Sequence, residues 1–131
     1  MILIDSSALI EFYRPDGDVE VRAKVFEAIA SGRAATNGII QVEVLSFAKG
    51  EKVFTALEQD FRALHWLELS HKEFDLSCVM GNTLRSRGIT IPATDLVIAA
   101  SAINAKATLY HLDHHFDQIA SLGELDGVNL R

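Results

Sequence analysis

The 131-residue sequence contains one cysteine, Cys78, so neither an internal disulfide nor a cysteine-based zinc site can form. Placed in a helical stretch of mixed polarity, that thiol is expected to serve as a small core hydrophobe. No apolar run reaches the length of a membrane span. The amino terminus opens directly on a strand pattern, without the basic segment and apolar region of a secretory signal, so a soluble, reducing, cytoplasmic setting is expected. Internal repeats, low-complexity tracts and linkers are absent, and 49% hydrophobic content at this length predicts one domain, residues 1–131, around a single core. Positive charge is also short, because the formal net charge is -6. That balance argues at first against nucleic acid, whose phosphates are usually met by a basic face.

What the sequence does contain is acid in unusual places. Ile2-Leu3-Ile4 runs straight into Asp5-Ser6-Ser7, and Glu43, Asp95 and Asp113 each close a separate apolar stretch. A short apolar run bounded by polar residues reads as a buried parallel strand, which puts Asp5 at the carboxyl end where open α/β sheets bind ligands. The rest of the chain alternates strand and helix patterns. Helices are expected over Ala8–Tyr13 with Ser6 or Ser7 as cap, over Val19–Ala30 with Gly32 as stop, and from Asn37 or Gly38 through Phe47 to near Gly50. Further helices are expected on Val53, Leu57, Phe61 and Leu64, from Ser70 to Arg87, from Pro92 to Ala105, and around Phe116–Ser121. Strands are expected at 33–36, Trp66–Leu69, Thr108–Leu112 and, on an edge, Val128–Leu130. This alternation predicts a three-layer α/β/α domain with a central, mainly parallel sheet of about four to five strands.

Helical spacing sharpens the reading of the acids. Residues three and four from Asp95 are Ile98 and Ala99, and those around Glu43 include Ile39, Ile40 and Phe47, so both acids lie on largely apolar stripes. Neither stripe offers a Lys or Arg, and a buried carboxylate without a partner is costly. Convergence on a cation removes that cost. Asp5 and Asp113 both follow strand patterns, so parallel strands bring them to the same sheet edge. Four oxygen ligands suit Mg²⁺ or Mn²⁺ rather than zinc, which prefers His and Cys, although His111, His114 and His115 surround Asp113. If those four acids are offset by cations, the rest of the chain is left at -2 of its formal -6, so RNA or DNA is not excluded. The local basic candidates are Arg85 and Arg87, just ahead of Asp95. Ser7 is placed either to cap its helix or to donate to a carboxylate or phosphate.

Asp5-Ser6-Ser7, Gln41-Val42-Glu43, Thr94-Asp95-Leu96-Val97-Ile98-Ala99-Ala100 and Leu112-Asp113 followed by Phe116 together resemble the PIN-domain ribonucleases, and more narrowly the VapC toxins of bacterial toxin–antitoxin pairs. The likeness runs over nearly the whole chain. It implies a metal-dependent endoribonuclease that cuts structured RNA such as transfer or ribosomal RNA, forms a homodimer and is held inactive by a VapB-like antitoxin. It also implies that Asp5, Glu43, Asp95 and Asp113 bind Mg²⁺, with Mn²⁺ able to substitute, and that Ser7 is the family's hydroxyl residue near the first acid. Thr94, His115, Asp117, Arg85 and Arg87 are the candidates for supporting the ligands or touching substrate. One position departs from the pattern: many relatives carry a further acid two residues after the fourth, where this chain has His115, with Asp117 nearby.

Other acidic α/β folds fit less well. A haloacid-dehalogenase-like phosphatase needs a second Asp where Ser7 stands, a receiver domain needs an acceptor Asp and a late Lys that Glu68 and Lys106 do not supply, and G-x-G-x-x-G is absent. The rival from another class is a non-catalytic PIN-like module that docks a protein partner through its acidic pocket.

Overall fold

The computed structural model describes residues 1–131. Its five strands are β1 (Ile2–Ile4), β2 (Ala34–Thr36), β3 (His65–Trp66), β4 (Thr108–His111) and β5 (Gly127–Asn129). They lie in the order β3-β2-β1-β4-β5, and every neighbouring pair is parallel. The apolar triplet Ile2-Leu3-Ile4 is the centre, with Ile2 in register with Ala34 on one side and Thr108 on the other. Chain order reverses there, since β2 and β3 extend one way and β4 and β5 the other. The carboxyl ends of β1 and β4 therefore flank the crevice that this topology opens at its switch point.

Seven helices flank the sheet to make the α/β/α layers: α1 (Ser6–Tyr13), α2 (Val19–Ala30), α3 (Gly38–Leu45), α4 (Glu51–Arg62), α5 (His71–Ser86), α6 (Ala93–Ala105) and α7 (His114–Ala120). In α2, Asp18 caps the start by accepting from the Val21 amide at 3.0 Å, while Val21, Val25 and Ala28 bury one stripe. In α6 the whole run Leu96–Ala102 is buried, and its alanines leave room for close packing between α5 and the sheet. A cluster of 29 buried residues joins these faces into one core. Leu3, Ile4, Ile98, Leu109 and Phe116 are fully enclosed in it, and each such side chain contributes about 1.5–3 kcal/mol relative to exposure.

Several local expectations are corrected. Asp5, not Ser6 or Ser7, caps α1, because its carboxylate accepts from the Ser7 amide and so satisfies a free donor of the first turn. The third helix stops at Leu45, leaving Phe47 outside it and 75% exposed. The third strand is His65–Trp66 rather than Trp66–Leu69, although the Leu67 amide still reaches the Thr36 carbonyl at 2.9 Å. Pro92 precedes α6 as its cap with ψ 143, and β4 ends one residue before Leu112. Cys78 is exposed, not a core residue: it lies on α5 one turn from the half-exposed Phe74, on the side that faces the start of α6.

Ser70 and Glu73 form a reciprocal cap on α5. The Glu73 carboxylate accepts from the Ser70 amide at 2.7 Å and, across the interface, from the Asn104 side chain of α6 at 2.5 Å. The Asn104 bond first, with those from Ser70, holds this carboxyl below its usual range. A lowered folded-state value adds stability above the unfolded value and loses it as pH falls through the folded value. Glu73→Gln is therefore expected to cost about 1–2 kcal/mol at pH 7 in urea unfolding, with the difference from wild type narrowing below about pH 4.

Candidate active site

Four helices bring the acids together at the carboxyl edge of the sheet, three of them by their starts. Asp5 leaves β1 and caps α1, Asp113 follows β4 and caps α7, Asp95 lies in the first turn of α6, and Glu43 lies on α3. The Asp5 amide bonds the Tyr110 carbonyl at 2.9 Å, which ties the first acid to the strand that delivers the fourth. Asn37 holds α3 in place: its oxygen accepts from the Ile40 amide at 3.1 Å and its nitrogen donates to Ser101 Oγ of α6 at 3.2 Å. Buried Asn37 and Ser101 thus fix two of the acid-bearing helices against each other.

Each carboxylate is steered by a donor of the protein. Asp5 Oδ2 accepts from the Ser7 amide at 3.0 Å and from Ser7 Oγ at 2.5 Å, and Ser7 Oγ in turn accepts from the Leu112 amide at 3.0 Å. Ser7 thereby donates to a carboxylate, one of the roles expected of it, and is not the helix cap. Glu43 Oε1 accepts from Ser6 Oγ at 3.1 Å. Asp95 Oδ2 lies 2.9 Å from His115 Nδ1, and since a carboxylate only accepts, the imidazole donates. Asp113 Oδ1 accepts from the His115 amide at 2.9 Å.

The charges are close enough to perturb one another. Burial pushes the Asp5 carboxyl above its ordinary range, against the pull of the Ser7 bonds, and Asp113 adds to the rise. Glu43 is raised by desolvation and by Asp5, Asp95 and Asp113, which outweigh Ser6. Asp95 is raised by desolvation, with Asp113 and Asp5 adding and His115 opposing. No Lys or Arg forms an ion pair with any of the four. Asp5, only 3% exposed, keeps one oxygen, Oδ1, without any hydrogen-bond partner. A buried anion in that state calls for a cation, and hard oxygen donors are the set that Mg²⁺ or Mn²⁺ takes.

The remaining candidates divide. His115 belongs to the site through Asp95 and lies 3.4 Å from Asp113 Oδ1. The ligand atoms of Asp113, His114 and His115 all fall within 4.8 Å of one another, but His114 is exposed and His111 is not among them. Buried His111 instead accepts the Asp113 amide on Nδ1 at 3.2 Å, holding that turn, and burial lowers its basicity. Asp117 does not join the acids: it accepts from Asn129 at 3.1 Å and lies 3.7 Å from His111. Thr94 is exposed without a hydrogen bond. Arg85 and Arg87 point to different surfaces. Arg85 lines a groove of about 540 Å³ between α5 and the start of α6, with Phe74, Cys78 and Ala93, whereas Arg87 lies by Leu122 and Glu124. Sequence reasoning missed Ser6, Asn37 and Ser101 as supports, because their partners are remote in sequence and no local pattern marks them.

Comparison with known proteins follows the same lines. The family model for the PIN domain matches residues 2–122. The Mycobacterium tuberculosis protein named Ribonuclease VapC11 is 35% identical over 136 residues, covering 100% of both chains. Among solved structures, FitAcB from Neisseria gonorrhoeae superposes with a TM-score of 0.81 at 20% identity, over 99% of this chain and 98% of that one. VapBC2 from Rickettsia felis, bound to a DNA fragment from its promoter, gives 0.76 at 18% identity, over 98% of each chain. These likenesses bear out the three-layer fold and the resemblance noted from the sequence.

Ser7→Ala removes the hydroxyl that joins Asp5 to the Leu112 amide and leaves that part-buried N–H without its partner. The expected cost is about 1–3 kcal/mol in denaturant unfolding. A change below about 0.5 kcal/mol would mean the bridge does not hold the two strand ends together.

Proposed function

The chain belongs to the PIN-domain family, among relatives of the VapC ribonucleases, and from that premise we propose that it is a metal-dependent endoribonuclease, the toxin of a toxin–antitoxin pair. The observation that carries this reading is the buried, unpartnered Oδ1 of Asp5 inside a cluster of four acids that no Lys or Arg neutralises. Asp5, Glu43, Asp95 and Asp113 would hold Mg²⁺, or Mn²⁺ in its place. When bound, such an ion offsets charge on a phosphodiester, lowers the pKa of a water that attacks phosphorus, and stabilises the departing oxygen.

The side chains have separable tasks in that reaction. Asp5 and Asp113 are fixed by helix caps, so their carboxylates need no reorganisation as charge develops. Ser7, Ser6 and His115 orient Asp5, Glu43 and Asp95, the kind of support whose loss typically reduces metal affinity or activity by about 10–100-fold. Hydrolysis adds water across one P–O bond, with hydroxyl to phosphorus and the proton to the leaving oxygen. Structured RNA, such as transfer or ribosomal RNA, is the substrate class we assign, with exposed Arg85 and Thr94 beside the start of α6 as phosphate and sugar contacts. The single PIN domain of residues 1–131 would act in the cytoplasm as a homodimer.

A VapB-like antitoxin is the assigned inhibitor. Exposed Ile10, Phe47 and Val53, with Tyr13, Val44 and Leu57, border an apolar groove of about 400 Å³ whose rim carries Arg14 and Lys49. That surface suits an amphipathic segment bearing acidic residues.

The test is cleavage of total cellular RNA by purified chain, free of antitoxin, with Mg²⁺, Mn²⁺ or chelator. Discrete metal-dependent fragments are expected, reduced at least about 100-fold in Asp5→Asn. No cleavage with either metal would leave a binding module as the better account. For RNA contact, Arg85→Ala is expected to weaken binding and to flatten the salt dependence of log K by a slope of about 1.

A further inference from the structure

The fourth acid is also held from behind, by a buried ring that the proposed chemistry does not use. His111, the last residue of β4, is fully enclosed, and its imidazole packs against Phe116 of α7 with ring centroids 5.1 Å apart. Nδ1 of that ring accepts from the Asp113 amide at 3.2 Å. A ring nitrogen that accepts carries no proton, so the proton of the neutral imidazole lies on Nε2. There it is buried without a hydrogen-bond partner, and the carboxylate facing it is Asp117, with Oδ1 3.7 Å away. The other oxygen of Asp117 accepts from Asn129 of β5 at 3.1 Å, while the Leu130 amide donates to the His111 carbonyl at 2.9 Å. We infer that His111 is a positioning residue for Asp113, locked as the Nε2–H tautomer between the Asp113 amide and the Asp117 carboxylate. The inference deepens the metal-dependent reading above and rests on it for its effect on metal.

Two bonds orient Asp113, and they act on different parts of it. The His115 amide meets its carboxylate and sets the side-chain rotation, whereas His111 meets its backbone amide and sets the turn from which that side chain leaves β4. The opposite tautomer would aim one N–H at another and turn the bare lone pair of Nε2 toward a carboxylate. Both sides of the ring therefore favour the same proton position. At 3.7 Å the Asp117 contact is longer than a hydrogen bond, so this acid acts through its charge on the Nε2–H dipole. Asn129 keeps it facing the ring although Asp117 itself is 54% exposed. Asp117, which stands apart from the four acids, thus acquires a task one step behind them, and β5 supports the placement of the fourth.

Long-range proton–nitrogen NMR on the purified, ¹⁵N-labelled chain reads the tautomer directly and without metal. His111 is expected to show a protonated Nε2 and a bare Nδ1, and the reverse pattern would overturn the inference. Asp117→Ala, a change at an exposed site, is expected to draw the two nitrogen shifts together, and an unchanged pattern would overturn the part given to Asp117. Mn²⁺ affinity, measured by calorimetry on chain free of antitoxin, tests the effect on the site. His111→Gln removes the acceptor at Nδ1 and is expected to weaken Mn²⁺ binding about 10–100-fold. His111→Asn, whose amide oxygen lies where Nδ1 does, is expected to stay near wild type. Equal affinities in wild type and His111→Gln, or equal losses in both variants, would overturn the positioning role. Thermal melts verify folding, and if neither variant folds, the wild-type and Asp117→Ala spectra still decide. No Mn²⁺ bound by wild type would overturn the metal-dependent reading instead, with the tautomer pattern standing on its own.

Discussion

Four carboxylates held at one edge of a parallel sheet, with no basic side chain among them, set the terms for everything around them. Two like charges roughly 4 Å apart at an effective dielectric near 20 repel by about 4 kcal/mol. Placing Asp5, Asp95 and Asp113 at helix starts returns only about 0.3–1 kcal/mol each from the helix dipole. Hydroxyl and amide donors add about 1.5–3 kcal/mol per bond to a charged group, yet burial and mutual repulsion still raise Asp5, Glu43 and Asp95. The protein's own donors therefore steer the acids without neutralising them. That uncompensated charge is what the proposed cation would offset.

Holding that arrangement requires rigidity from the frame. The central position of β1 between β2 and β4 gives Asp5 its neighbours, and the bond from its amide to Tyr110 fixes the spacing of the two strand ends. Asn37 and Ser101, both buried, join α3 to α6, the helices that carry Glu43 and Asp95. Ser7 completes the brace, because a single hydroxyl serves the first acid and the loop leading to the fourth. Loss of any of these would loosen the hold on a carboxylate, and placement within about 0.5–1 Å decides whether a charged site works.

The sequence made the four acids legible because each ends an apolar run or interrupts an apolar helix face, and a parallel topology has only one edge to which strand-end acids can go. The alternation of elements was equally plain, and α2 and β1 coincide with their expected bounds. Errors arose where tertiary context overrode local pattern. Phe47 continues the helical spacing of α3 but lies outside it and exposed, and Cys78 occupies an exposed position of α5 that composition alone does not distinguish from a buried one. The supporting polar contacts were invisible for a different reason. Ser6 with Glu43, Asn37 with Ser101 and Asp95 with His115 join residues 37, 64 and 20 positions apart, a separation that only the folded topology closes.

Acidity and RNA binding are compatible on this frame. On the function proposed, most of the repulsion an approaching phosphate would meet comes from the four acids that a bound ion would offset, so affinity for RNA would depend on metal rather than on a general basic face. Exposed Arg85, lining the groove beside the start of α6, would add a local attraction without reversing the overall sign. A chain charged in this way would have weak affinity for nucleic acid at large and would gain it where a phosphodiester could reach the proposed ion. Selectivity between cleavable and merely anionic RNA would then follow from the site itself, because the contact that recognises the phosphate would also be the one that cuts beside it.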